Sequence, residues 1–112
     1  MEIGILNILD KKDINAERIV LQVREDCNSW PFILFCNSSN DEGNRKSFIF
    51  PNMQIYKGDM ITIYSKKGTD QRQKISNGNI NYILYWKEDC SIWEKNTTAL
   101  LVKIADFTYK NL

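Results

Sequence analysis

The sequence contains no histidine. Imidazole is the base in Ser-His-Asp and Cys-His nucleophile pairs, and it is a common ligand of zinc, copper and iron. Neither a histidine-activated nucleophile nor a histidine-ligated metal site can therefore form within this chain. We expect a protein that is not an enzyme and that requires no metal or other cofactor.

Cysteine is also scarce, and the three cysteines, Cys27, Cys36 and Cys90, include no Cys-x-x-Cys pair. A framework of several disulfides and a four-cysteine zinc site are both excluded within one chain. We expect three partly buried free thiols in a reducing compartment. A single bridge between Cys27 and Cys36 is the alternative.

A strong charge of either sign is missing, since 15 Lys and Arg stand against 14 Asp and Glu, a net charge of +1. A protein dedicated to nucleic-acid binding usually carries a clear basic excess. Any such role must therefore come from a local cluster of cations. The length of 112 residues predicts one domain, residues 1–112.

Long hydrophobic runs are absent as well. The apolar runs are too short to cross a bilayer, and the first ten residues have neither the basic start nor the apolar stretch of a signal peptide. We expect a chain that is not exported and does not contact a membrane, which makes the cytoplasm its default location.

Short apolar runs separated by polar, turn-forming clusters are what the sequence does contain, and they predict β-strands rather than helices. Seven strands at this spacing are typical of an all-β, immunoglobulin-like β-sandwich of about seven antiparallel strands, with a small β-barrel as the alternative. The polar stretch 65–79 is predicted to be a long loop or a mobile hairpin tip. The predicted strands are 3–9, 18–24, 30–36, 47–51, 60–64, 80–86 and 97–105.

Several short motifs follow one another in a fixed order between residues 48 and 104. They are Phe48-Ile49-Phe50-Pro51, Ile55-Tyr56-Lys57-Gly58-Asp59, Met60-Ile61-Thr62-Ile63-Tyr64-Ser65, Leu84-Tyr85-Trp86, Ile92-Trp93 and Thr98-Ala99-Leu100-Leu101. This ordered set resembles the lamin-tail domain family. The resemblance implies an immunoglobulin-like sandwich that binds and tethers partners and has no catalytic residues. The filament role of some members does not carry over, because this chain has no coiled coil.

Two groups of residues are candidates for binding. The first is Trp93, because a loop tryptophan that is exposed would be a strong contact for a protein partner; burial in the core is the expected alternative for all three tryptophans. The second is the basic cluster of residues 66–74, which would hold phosphates with modest, salt-sensitive affinity. Its members are Lys66, Lys67, Arg72 and Lys74.

These features favour a non-catalytic module that binds a protein partner through a sheet edge or a loop residue. The first alternative is weak nucleic-acid contact through the basic cluster, which requires its four cations to lie on one surface. The second alternative is an accessory domain of a larger assembly. Binding of a protein partner predicts an exposed apolar patch or an uncapped edge strand.

Overall fold

A computed structural model describes residues 1–37, 46–95 and 98–111. Within these ranges the chain forms ten β-strands, and no described residue belongs to a helix that could cross a membrane. The strands are β1 (Ile3–Leu9), β2 (Arg18–Val23), β3 (Cys27–Asn28), β4 (Phe32–Asn37), β5 (Lys46–Ile49), β6 (Gln54–Ile55), β7 (Met60–Tyr64), β8 (Gln71–Lys74), β9 (Ile80–Tyr85) and β10 (Thr98–Lys103).

The described strands form two principal sheets and a small ribbon. The larger sheet has the order β1-β2-β7-β9-β8, the second has the order β10-β4-β5, and β3 pairs with β6. All neighbours are antiparallel except β7 and β9, which run parallel. This parallel pair departs from the prediction that all strands are antiparallel. After β7 the chain crosses to the far edge of the sheet and forms β8, and it then turns back as β9, which lies between β7 and β8.

The core lies between the two principal sheets. Ile19, Leu21 and Val23 alternate along β2, point inward and are buried, as expected of the strand predicted at 18–24. Facing them are Phe32 and Leu34 of β4. The fold is therefore a β-sandwich, as predicted, and over the described residues the sheets do not close into a barrel.

All seven predicted strands are present, with bounds shifted by a few residues at most. The prediction missed β3, β6 and β8. The strand β8 lies inside the stretch 65–79, which was predicted to be a loop or a hairpin tip. All four of its side chains are polar and exposed, so the strand lacks the alternation of apolar residues that identifies a half-buried strand.

A tight turn precedes β7, and its geometry favours glycine at one position. Gly58 has a φ of +95°, and its N–H donates a hydrogen bond to the Val23 carbonyl at 2.9 Å. The Asn79 amide spans the turn from the other side, donating to the Lys57 carbonyl and to Asp59 Oδ1. The turn thus joins β2 and the hairpin before β9 to the start of β7.

We expect Gly58→Ala to lower the free energy of unfolding by about 2–3 kcal/mol, since a left-handed φ costs an L-residue about 1–2 kcal/mol. An added Cβ would also lie 2.7 Å from Asn79 Oδ1. Gly78→Ala is the matched control, because Gly78 has a φ of +85° but open space around its Cβ position. Denaturant unfolding of both variants separates the two contributions. Equal losses would show that the contact with Asn79 adds nothing.

Candidate functional site

The outward face of the three-stranded sheet is built from apolar side chains. Ile33 of β4 pairs with Ile49 of β5 and with Val102 of β10, while Phe35 pairs with Leu100 in the next row on the same face. Ile49 is 73% exposed and Leu100 is 52% exposed. We call these five residues the apolar face.

The apolar face follows from a strand that is apolar on both sides. The run Phe32-Ile33-Leu34-Phe35-Cys36 supplies apolar residues to both faces of β4, which is the middle strand of its sheet. Asn37, Ser47 and Thr98 continue the same face in register, and all three are uncharged. Exposed apolar patches of this kind are more frequent at interaction sites than elsewhere on protein surfaces, which makes the apolar face the candidate site.

A groove of about 420 Å³ lies at one end of the apolar face. Phe35 and Leu100 line it together with Asn37 and Ser47, so it offers both apolar contact and hydrogen-bonding groups. Lys46 also contributes to the lining, and its ammonium group is paired with Glu88 at 3.1 Å. This concavity could receive an inserted side chain, whereas the remainder of the face offers surface contact.

The four residues of the predicted basic cluster do not share a surface. Lys67 forms an exposed ion pair with Asp89 at 3.0 Å. The Lys66 ammonium lies 5.4 Å from the ring centroid of Tyr64, which is on the outer side of the five-stranded sheet. Phosphate binding by all four cations together is therefore not supported by their geometry.

Arg72 and Lys74, by contrast, are brought together on β8. They are separated by one residue in the strand, so both side chains lie on the same side of the sheet. This is the inner side, because Arg72 stands opposite the buried Tyr82 and its guanidinium lies 5.2 Å from that ring centroid. The structure thus splits the basic cluster into a β8 pair and two separate lysines.

Trp93 is fully buried, so it cannot be the exposed contact residue for which it was a candidate. Its side chain is 0% exposed and packs edge-on against Trp86, with the ring centroids 6.0 Å apart. Among the described residues, no hydrogen-bond partner accepts from its indole N–H. The exposed tryptophan is instead Trp30, which is 47% exposed and packs edge-on against Phe107. Core burial, the expected alternative, is therefore correct for Trp93 but not for Trp30.

A buried carboxylate, Glu17, is a feature that sequence reasoning missed. The hydroxyls of Ser65 and Ser91 donate hydrogen bonds to it, as do the backbone N–H groups of Ile92 at 2.9 Å and Lys12 at 3.1 Å. Burial alone would raise the pKa of the Glu17 carboxyl, but these four hydrogen bonds outweigh burial and hold that pKa below its ordinary value.

Glu17 has a structural position rather than a catalytic one. Its side chain is inaccessible, and both carboxylate oxygens already accept two hydrogen bonds each. The carboxylate joins the turn before β2, the turn after β7 and the loop that carries Trp93. Nothing in the sequence marks it, because its serine partners are 48 and 74 residues away.

The three cysteines lie in different environments, since Cys27 is partly buried and Cys36 is buried, whereas Cys90 is exposed and so departs from the expectation of partial burial. All three cysteines are free, so the alternative of a Cys27–Cys36 bridge is wrong. Burial raises the pKa of the Cys27 and Cys36 thiols, which favours the unreactive protonated form. Across the described ranges, no group of three or more Cys, Asp or Glu side chains is placed to hold a metal ion.

In comparisons with known proteins, no family model and no curated protein matches the chain. The motifs behind the resemblance to the lamin-tail domain can still be located in the structure. Many of their apolar residues are buried, including Phe48, Phe50, Leu84, Trp93 and Leu101. Since buried residues specify packing, these motifs bear on the fold, and the contact surface has to be sought elsewhere.

Proposed function

We propose that this domain is a non-catalytic interaction module that binds a protein partner through the apolar face. The observation that carries the proposal is the exposure of Ile49 and Leu100 within a continuous, uncharged block of cross-strand neighbours. A tethering module of this class is also what the resemblance to the lamin-tail domain implies.

Burial of apolar surface provides the driving force. Covering an isoleucine or leucine side chain completely contributes about 1.5–3 kcal/mol. Ile49 and Leu100 have the most exposed surface of the five residues and would gain the most from a partner. Ile33, Phe35 and Val102 are already half-buried, and they pack between the two more exposed residues and the sheet.

The alternatives have less support in the structure. Nucleic-acid binding depends on cations that neutralise phosphates, and the apolar face has none. The basic cluster is divided between surfaces, as described above. An accessory domain without a ligand of its own would have no reason to maintain an uncharged apolar block on its surface.

We expect the double variant Ile49→Lys/Leu100→Lys to weaken partner binding by a factor of at least about 100, because two anchors of this kind contribute about 1.5–3 kcal/mol each. Both side chains point away from the core, so the fold should be retained. The control is Leu6→Lys, which places one of these two charges outside the apolar face, on the exposed residue at the β1 bulge. The measurement is quantitative capture from host extract with and without nuclease treatment, with each variant compared with the wild type.

Each outcome has a distinct meaning. A protein captured by the wild type and by Leu6→Lys but lost from the double variant supports the proposal. Equal capture by all three proteins would refute the assignment to the apolar face. Capture that disappears after nuclease treatment favours the nucleic-acid alternative. A doubled mass in light scattering that the double variant abolishes identifies the partner as a second copy.

A further inference from the structure

Among the described strands, β8 is the last of the five-stranded sheet and pairs only with β9, and the hydrogen-bonding pattern shows which of its backbone groups point away from β9. The Ile75 N–H donates to the Asn79 carbonyl at 2.9 Å, so this pair is hydrogen-bonded. Because such pairs alternate along an antiparallel ladder, Gln73 also bonds to β9, whereas Arg72 and Lys74 do not. The N–H and C=O groups of Arg72 and Lys74 therefore point away from the sheet.

The side chains of the same two residues are available for pairing. Arg72 and Lys74 both project on the inner side of the sheet, opposite Tyr82 and Ile80. Neither forms an ion pair within the part of the chain that the structure describes. A strand added beside β8 would thus meet two unpaired cations on one of its faces.

A groove of about 320 Å³ lies beside this edge. Pro51, Met53 and Leu84 give it an apolar floor, and residues 70–72 form its rim. The groove exists because β8 stands at the margin of its sheet, opposite the irregular segment that follows β5. It offers a place for one apolar side chain next to the two cations.

We propose that the β8 edge binds an acidic peptide segment, which adds to the sheet as an extended sixth strand. In the antiparallel orientation, successive inward side chains of the peptide would lie opposite Lys74, Arg72 and Asp70. Opposite charges directly across a ladder stabilise pairing, so the first two side chains are acidic. The third is apolar and enters the groove, which gives the pattern acidic-x-acidic-x-apolar.

A peptide fits this edge better than a nucleic acid does. The outward backbone groups of Arg72 and Lys74 alternate donors with acceptors, and phosphate groups can pair only with the donors. A peptide strand satisfies both kinds of group, as in other cases of strand addition to a sheet edge. The site belongs to a different sheet from the apolar face, so the inference stands independently of the proposed function.

The test uses the full chain and a fluorescent peptide, Thr-Asp-Thr-Glu-Thr-Leu-Thr, with binding followed by anisotropy. We expect saturable binding that falls about tenfold in Arg72→Gln, in line with the loss of a charge-assisted contact. A peptide with lysine in place of both acidic residues should not bind. Lys11→Gln is the control, because Lys11 is an exposed cation on the turn after β1.

A second pair of variants separates strand addition from simple charge attraction. Lys74→Ala removes the charge, whereas Lys74→Pro removes the charge and the outward N–H while leaving the hydrogen bonds between β8 and β9 in place. Strand addition predicts that Lys74→Pro binds about fivefold more weakly than Lys74→Ala. The amide spectra of β9 show whether the proline variant keeps its fold. If it does not, the acidic peptide with an N-methyl group on its glutamate decides the question, because it keeps its charge but cannot donate to the outward Arg72 carbonyl.

The inference is overturned by an absence of saturable binding, by equal affinities for the acidic and basic peptides, or by equal affinities of folded Lys74→Pro and Lys74→Ala. The double variant Ile49→Lys/Leu100→Lys should bind the peptide as the wild type does. With that result, the proposal for the apolar face and the proposal for β8 can each be refuted without affecting the other.

Discussion

Replacing Glu17 with glutamine is expected to lower the free energy of unfolding by about 3 kcal/mol, because the loss of hydrogen bonds to a buried charge costs about 1.5–3 kcal/mol each. The Lys12 N–H donates to one carboxylate oxygen and the Ile92 N–H to the other. Whichever way the glutamine amide turns, its NH₂ group must face one of these donors. The serine hydroxyls can rotate to accept, but a backbone N–H cannot.

The same carboxylate should give the domain a particular response to acid. Since the pKa of Glu17 is lower in the folded state than its ordinary value of 4.5, its contribution to stability is full above that value. The contribution is lost as the pH falls through the lower folded pKa. The stability difference between the wild type and Glu17→Gln should therefore be largest near neutral pH and shrink on acidification.

Urea unfolding at about pH 7 and at several lower values tests both expectations. Glu94→Gln is the matched control, because Glu94 is exposed in the loop that Glu17 holds. A difference between the wild type and Glu17→Gln that stayed constant with pH would show that the carboxylate does not titrate with unfolding. A control variant as unstable as Glu17→Gln would show that the loop, rather than the buried charge, is responsible.

Replacing Trp93 with alanine is expected to destabilise the domain by about 4 kcal/mol, within the range found when large aromatic side chains are removed from cores. Trp93 is fully buried, and the loss of its ring would leave a cavity beside Trp86. Trp93→Phe should cost about 1–2 kcal/mol, because it retains a buried ring and removes an indole N–H that has no partner in the described structure.

The two variants also decide whether Trp93 acts in folding or in binding. Partner capture by Trp93→Ala should decline in proportion to the unfolded fraction, whereas folded Trp93→Phe should capture the partner as the wild type does. The fraction folded is measured by circular dichroism under the conditions of the capture assay. Loss of capture by a fully folded Trp93→Phe would show that Trp93 contributes to partner binding.

Seven of the ten described strands could be predicted from the sequence, because each of them has at least one apolar face. The pattern of Ile19, Leu21 and Val23 is visible in any reading of the chain, and so is the run that becomes β4. The strand β8 could not be found in this way, since it lies at a sheet margin and buries no side chain. The parallel arrangement of β7 and β9 follows from the position of that missed strand.

The candidate site was predictable only in part, for a related reason. The apolar face combines residues from three strands that are distant in sequence, and a shift of one residue in register would turn Ile49 or Leu100 toward the core. Arg72 and Lys74 were identified as candidates, but their shared face depends on a strand that the sequence did not reveal. Glu17 was missed because its burial is created by partners from distant turns.

The position of β9 also bears on how the chain reaches its native state. The pairing of β8 with β9 is local in sequence, whereas the pairing of β7 with β9 spans the chain segment that includes β8, so we expect the hairpin to form before it docks on β7. Before the hairpin docks, the backbone donors and acceptors on the edge of β7 that β9 covers in the native sheet are exposed and can pair with a strand from another chain. We therefore expect aggregation to compete with docking of the hairpin when the protein refolds at high concentration.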